Sequence, residues 1–179
     1  MQKYIALLRG INVGGKNKIP MPELKMVFED NGYKDVVTYI NSGNVIFSSC
    51  NEDEGELRKE CESAIAGKFK LNIAVTIISA EDLSAALRNA PTWWDKDIES
   101  KHNAIFVIPP ATAAEVIEQV GIAKPEYEQV SYYGQVIFWS APIETFSRTR
   151  WAKIVGKPAY NSVTIRNANT TKKLLQLLE

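Results

Sequence analysis

Gly43-Asn44-Val45-Ile46-Phe47 recurs as Gly134-Gln135-Val136-Ile137-Phe138, and this echo decides how the chain is organised. Each copy sets a turn-forming glycine before a run of β-branched and aromatic residues, as the second strand of a hairpin requires. Ile19-Pro20 returns as Ile108-Pro109 and Thr76-Ile77 as Thr164-Ile165, so the three offsets are 91, 89 and 88 residues, close to half of the 179-residue chain. Three agreements in one register predict an internal duplication.

The apolar periodicity around these echoes gives the same order twice. The first half reads as strand Tyr4 to Leu8, helix Met21 to Asn31, strands Val36 to Ile40 and Val45 to Ser49, helix Asp53 to Phe69, strand Ala74 to Ile78 and helix Ala80 to Asn89. The second reads as strand Ala104 to Ile108, helix Thr112 to Val120, strands Val130 to Tyr133 and Gln135 to Trp139, helix Phe146 to Val155, strand Ser162 to Arg166 and helix Thr170 to Leu178. A repeated βαββαβ(α) order predicts an α+β protein built as a tandem duplication of a ferredoxin-like unit, with two mostly antiparallel sheets and packed helices. Residues 1–90 are expected to form the first subdomain, 91–102 a linker, and 103–179 the second subdomain.

Composition supports a folded interior, since 45% of residues are hydrophobic. No apolar run approaches the roughly 20 residues that cross a bilayer, and Met1-Gln2-Lys3 leads straight into a strand; a cytoplasmic protein with no membrane partner is expected. Cys50 and Cys61 have no close spacing, and neither makes a ligand set with His102, so no metal site and no cofactor are expected. His102 has no motif partner, and a surface or linker role is expected. Trp93-Trp94 is read as pinning the linker onto the body, with stacking on a base or sugar as the alternative.

A net charge of zero hides an uneven distribution. Met1 to Pro22 carries Lys3, Arg9, Lys16 and Lys18 and no acid, and Thr145 to Leu178 carries seven Lys or Arg and no acid. Two cationic segments flank an acidic middle.

The duplication separates what the fold needs from what it does not. Where the second half passes directly from its first strand to Pro109-Pro110, the first half inserts Arg9-Gly10-Ile11-Asn12-Val13-Gly14-Gly15-Lys16-Asn17-Lys18. Glycines let backbone N–H groups approach an anion, and lysine or arginine supplies opposing charge, so Arg9, Gly10, Asn12, Gly14, Gly15, Lys16, Asn17 and Lys18 are candidate anion ligands. Gly10 to Lys16 fits G-x-x-x-x-G-K, but Asn17 stands where Ser or Thr would hold magnesium and Pro20 and Pro22 delay the helix; an NTPase is rejected.

The last helices of the halves differ too. Ser79 precedes Glu81 and Asp82, a near capping box, whereas Arg166-Asn167 opens its counterpart with no acid in the first turn. Arg166 and Asn167 therefore join the candidate set, with Asn167 or Asn169 also able to act as an ordinary N-cap. Asn41-Ser42-Gly43-Asn44 reads as a turn, and as a ligand contact only if it lies beside the glycine-rich loop. Ser42 and Asn44 are additional candidates on that condition, and Arg148 is a further additional candidate.

Leu7-Leu8-Arg9-Gly10-Ile11-Asn12-Val13-Gly14-Gly15-Lys16-Asn17, Tyr39-Ile40-Asn41-Ser42-Gly43-Asn44-Val45 and Thr164-Ile165-Arg166-Asn167 resemble the motifs of a bacterial family known as domain of unknown function 1697. The resemblance implies a tandem α+β fold in a cytoplasmic bacterial protein and carries no established activity. Three functional readings stand: binding of a phosphorylated small molecule or nucleotide, a structural or partner-binding module, and a nucleic-acid-binding module that uses the basic ends.

Overall fold

The strands follow the alternation that the sequence displays. In the computed structural model, which describes residues 1–179, β1 (Gln2–Leu8) turns Tyr4, Ala6 and Leu8 to one face and Ile5 and Leu7 to the other. The elements that follow are α1 (Met21–Asp30), β2 (Lys34–Tyr39), β3 (Asn44–Ser49), α2 (Glu54–Phe69), β4 (Val75–Ser79) and α3 (Ala80–Arg88). The second half continues with β5 (Ser100–Val107), α4 (Ala113–Val120), β6 (Gln129–Tyr133), β7 (Val136–Pro142), β8 (Val163–Asn167) and α5 (Ala168–Leu178).

Two four-stranded sheets result, ordered β2-β3-β1-β4 and β6-β7-β5-β8, with every neighbouring pair antiparallel. Adding four to each label of the first order gives the second, the topology the duplication predicts. Each is a split βαβ arrangement in which a third strand separates two joined by a helical crossover. The chain forms two compact units, one of Met1–Ser84 with Lys173–Glu179 and the other of Ala85–Lys172.

In the first unit, alternate sheet residues Tyr4, Ala6, Leu8, Val45, Phe47, Val75 and Ile77 pack against Leu24 and Phe28 of α1 and Leu57, Cys61 and Ile65 of α2. Burial of each large apolar side chain contributes about 1.5 to 3 kcal/mol. Asp53 caps α2 by accepting the Glu56 N–H, and Lys70 ends it in the left-handed conformation at φ 57°. Lys3 Nζ donates to the carbonyl of Leu178 at 2.7 Å, so the first strand and the end of α5 are joined.

The second unit has an equivalent core from Ile105, Val107, Ile137, Trp139 and Val163 with Val116 and Val120 of α4. Thr112 and Glu115 form a complete capping box at the start of α4. The helix expected over Phe146 to Val155 is replaced by three short 3-10 helices, Phe146–Arg148, Trp151–Gly156 and Pro158–Ser162. Trp151, Ile154 and Ala159 fill the core where α2 does so in the first unit.

One buried side chain fixes the start of the middle segment. Glu128 is 3% exposed and accepts from Trp139 Nε1 (3.2 Å) and from the backbone N–H groups of Lys124 (3.0 Å), Arg150 (2.8 Å) and Trp151 (3.1 Å). The two N–H groups at the start of Trp151–Gly156 thus bond outward to a carboxylate. Thr149 adds a local bond by accepting from Ala152 N–H at 3.2 Å.

The segment expected as a linker is packed. Trp94 is 5% exposed, stands edge-on to Phe138 at 5.0 Å and donates from Nε1 to the carbonyl of Asn103. An indole that buries its rings and satisfies its N–H anchors the backbone that carries it. No helix is long and apolar enough to cross a membrane.

Candidate functional site

The Arg9 to Lys18 insertion is a miniature hairpin. Val13 and Lys16 form an antiparallel bridge, Lys16 N–H donates to Val13 O at 3.0 Å, and Asn12 N–H donates to Asn17 O at 3.1 Å. Gly14 and Gly15 occupy the two central positions at φ 59° and 74°, the paired left-handed residues of a type I′ turn. Their conformation therefore answers to the turn, and the loop differs from a phosphate nest in which successive N–H groups converge.

Two asparagines hold the base of the hairpin, each in the left-handed region that asparagine tolerates better than other side chains. Asn12 (φ 54°) donates from Nδ2 to the carbonyls of Ile19 and Asn41, both at 2.9 Å, and accepts Ile19 N–H on Oδ1 at 2.8 Å. Asn17 (φ 49°) donates from Nδ2 to Gly10 O at 2.9 Å. Both carboxamides are engaged with main-chain groups, while Lys16 and Lys18 are exposed and Arg9 is half-buried.

The Asn41–Asn44 turn lies beside this hairpin, which meets the condition set for it. Leu8 N–H donates to Gly43 O at 2.8 Å, and Asn12 bonds the carbonyl of Asn41. Gly43 has φ 88°, and a Cβ there would lie 2.8 Å from Leu8 Cβ and Ile11 Cδ1. Only glycine suits both the dihedral and the space. Asn44 is completely buried and donates to Tyr39 O at 2.9 Å and Ser42 Oγ at 3.1 Å, so its carboxamide builds the turn. An open cavity of about 360 Å³ is lined by Asn12, Gly15, Lys18, Met21 and Asn41 among others.

The remaining candidates belong to the second unit. Arg166 is 6% exposed; its Nη1 donates to Thr164 Oγ1 at 2.7 Å and Ile165 O at 2.9 Å, and burial lowers its pKa to about 10. Asn167 is the N-cap of α5: its Oδ1 accepts Thr170 N–H at 2.8 Å, and its carbonyl accepts the Thr171 hydroxyl at 2.9 Å. Arg148 is exposed, with its guanidinium 5.9 Å from the centre of the Tyr127 ring.

His102 corrects the sequence reading, because it is buried at 8% exposure and not on the surface. Cross-strand pairing puts it opposite Ser140, whose Oγ is 2.6 Å from Nδ1; Nε2 is 2.7 Å from the main-chain oxygen of Asp97 and 3.8 Å from its carboxylate. A carbonyl can only accept, so Nε2 donates to the Asp97 oxygen and the Ser140 hydroxyl is the partner of Nδ1. Serine, histidine and aspartate meet here, but Ser140 is 5% exposed and Asp97 acts through its backbone. The arrangement fastens the 91–99 segment to the sheet. No local motif signals it, because its partner Ser140 is reached across the β5–β7 pairing.

A third cluster in the first unit is acidic. A cavity of about 710 Å³ is lined by Tyr4, Glu52, Asp53, Glu54, Ser79 and Asp82 among others. The Ser79 hydroxyl accepts Asp82 N–H at 3.0 Å and lies 2.7 Å from its carboxylate, while Glu54 accepts Ser79 N–H at 3.0 Å. Burial, and then the charge of Asp82, raises the pKa of the Glu54 carboxyl.

The sequence model of a family described as "Protein of unknown function (DUF1697)" matches residues 1–138. The chain belongs to this DUF1697 family. No curated protein matches the chain. A solved structure described as conserved bacterial protein SP0830 from Streptococcus pneumoniae superposes with a TM-score of 0.89 at 35% identity, over 99% of each chain. The tandem fold is thus shared along the full length. The first two RRM domains of yeast poly(U)-binding protein align over 93% of this chain and 99% of theirs at 11% identity and a TM-score of 0.26, a level from which nothing follows.

Proposed function

We propose that the protein binds an anion, a phosphorylated small molecule or nucleotide, at the Arg9 to Lys18 hairpin and the Asn41–Asn44 turn beside it. The observation that carries this reading is the hairpin itself. It is an addition to one half of a duplicated fold, it is ordered by its own asparagines, and it presents Lys16 and Lys18 to solvent with no acidic side chain along it. An element that the second half folds without, and that is nonetheless braced by five hydrogen bonds to or from Asn12 and Asn17, has a use other than folding. Lys16, Lys18 and Arg9 supply the charge, and the bare glycine tip lets a ligand approach the backbone.

A second reading, a structural or partner-binding module, is favoured for Asn44 and Arg166 by their burial, since both use their polar atoms inside the fold.

Thermal shift with inorganic phosphate, nucleotides and sugar phosphates tests the proposal, because a ligand that binds only the folded state raises the melting temperature by mass action. A selective rise is expected in the native protein and its loss in Lys16→Ala/Lys18→Ala, with the unliganded midpoint unchanged. No rise with any of these compounds at millimolar concentration would leave the hairpin without this role.

A further inference from the structure

The second unit carries its own departure from the repeat, independent of the hairpin. Where the first unit has α2, with Glu54, Glu56, Glu60 and Glu62 among its residues, the second has the 3-10 segment with Arg148, Arg150, Lys153 and Lys157 and no acid between Thr145 and Leu178. All four cations are exposed, and none takes part in an ion pair. The carboxylate bonded to the segment, Glu128, is buried and directs its oxygens to backbone N–H groups and an indole.

The backbone beneath these charges is fixed. Trp151 is completely buried with Nε1 donating to Gly121 O at 3.2 Å, and Thr149 is completely buried with its hydroxyl donating to Phe146 O at 2.7 Å. Lys153 N–H donates to Arg150 O at 3.1 Å, the three-residue spacing that sets Arg150 and Lys153 on one side of the turn. Lys157 follows immediately after that helix, its N–H donating to Ile154 O at 2.8 Å. Like charges three residues apart on one side of a helical turn repel one another modestly, and an anion docked there would relieve that repulsion.

We propose that the 3-10 segment of the second unit is a docking surface for the phosphodiester backbone of single-stranded nucleic acid. Successive exposed cations on a braced segment that lines none of the cavities described above suit a chain of phosphates better than one small molecule. The guanidinium of Arg148 against the Tyr127 ring adds a flat group of the kind on which unpaired bases stack, which an acidic peptide would not use.

Fluorescence anisotropy with labelled single-stranded RNA and DNA oligonucleotides across a salt series tests this. Binding at low salt is expected, with a log–log salt slope of about −2 for three contacts, and each single change of Arg150, Lys153 or Lys157 to Gln should reduce that slope by about 0.7. The triple variant should lose binding while its circular dichroism and melting midpoint are retained. Lys16→Ala/Lys18→Ala should bind as the native chain does, which separates this surface from the hairpin. Failure of the native protein to bind, an unchanged slope in the triple variant, or loss only in the hairpin variant would each overturn the proposal. Competition by polyglutamate as effective as by unlabelled oligonucleotide would overturn nucleic acid as the partner.

Discussion

The two halves of the molecule share a strand order but fill one structural position in opposite ways. In the first, α2 completes the core through Leu57, Cys61 and Ile65 and is capped by its own Asp53. In the second, three 3-10 helices do so through Trp151, Ile154 and Ala159, and their backbone depends on Glu128, which lies outside the segment. Every helix leaves its first N–H groups without an internal partner, and the halves supply the missing acceptor differently, from the adjoining Asp53 in one and from distant Glu128 in the other. The departures also fall at different places: an added hairpin after β1 in one half, a remodelled helix before β8 in the other. Neither is demanded by the common topology, which makes both informative about function.

The comparison can be broken at its most dependent point. Glu128→Ala leaves the Trp139 indole and three backbone N–H groups without their acceptor, and a loss of about 3 to 5 kcal/mol is expected in urea unfolding. Hydrogen exchange at the Arg150 and Trp151 amides should rise beyond what the global loss accounts for. Unchanged protection there would mean that the segment holds itself, as α2 does.

The repeated hairpin glycines give a smaller contrast. Gly43→Ala combines left-handed strain with a Cβ 2.8 Å from Leu8 and Ile11, and should cost about 3 kcal/mol. Gly134 has φ 56° but open space around a Cβ, so Gly134→Ala should cost only about 1 kcal/mol. Equal losses in denaturant unfolding would show that the close approach of the first turn to Leu8 and Ile11 contributes nothing.

The least effect is expected at the acidic cavity, which has no counterpart at the acid-free first turn of α5. The folded protein holds the Glu54 pKa above the ordinary 4.5, so the folded state binds the proton more tightly than the unfolded state. Stability from this group is therefore fully present below 4.5 and is lost as pH rises through the raised value. Glu54→Gln should raise the melting temperature at pH 7 by the equivalent of less than about 1 kcal/mol, the group being only partly buried. The gain should vanish under acid conditions; a constant gain across the pH range would remove ionisation as its cause.

Much of this was legible in the sequence. Strand alternation and three echoes in one register give both sheets and their order, because a period of two and a conserved spacing survive whatever packs around them. The segment from Phe146 to Val155 was misread because Phe146, Trp151, Ile154 and Val155 have nearly helical spacing. The acceptor that braces the segment is a buried carboxylate some twenty residues upstream, and no local pattern announces it. The insertion was legible as a half-specific element but not as a hairpin: Gly14-Gly15 signals a type I′ turn only where the flanking residues pair, and Val13 with Lys16 is too short a pair to show alternation. His102 went unread because its partners are reached across strands.

One feature of chain order bears on how the molecule is made. The first unit consists of Met1–Ser84 and Lys173–Glu179, and Lys3 meets its acceptor on Leu178. At bacterial elongation rates of about 5 to 20 residues per second, the ribosome needs roughly 5 to 20 seconds to pass from the first part of that unit to the second. For that interval the nascent β1 has its sheet neighbours but not the carbonyl that Lys3 will bind, and the unit that begins first is the one completed last.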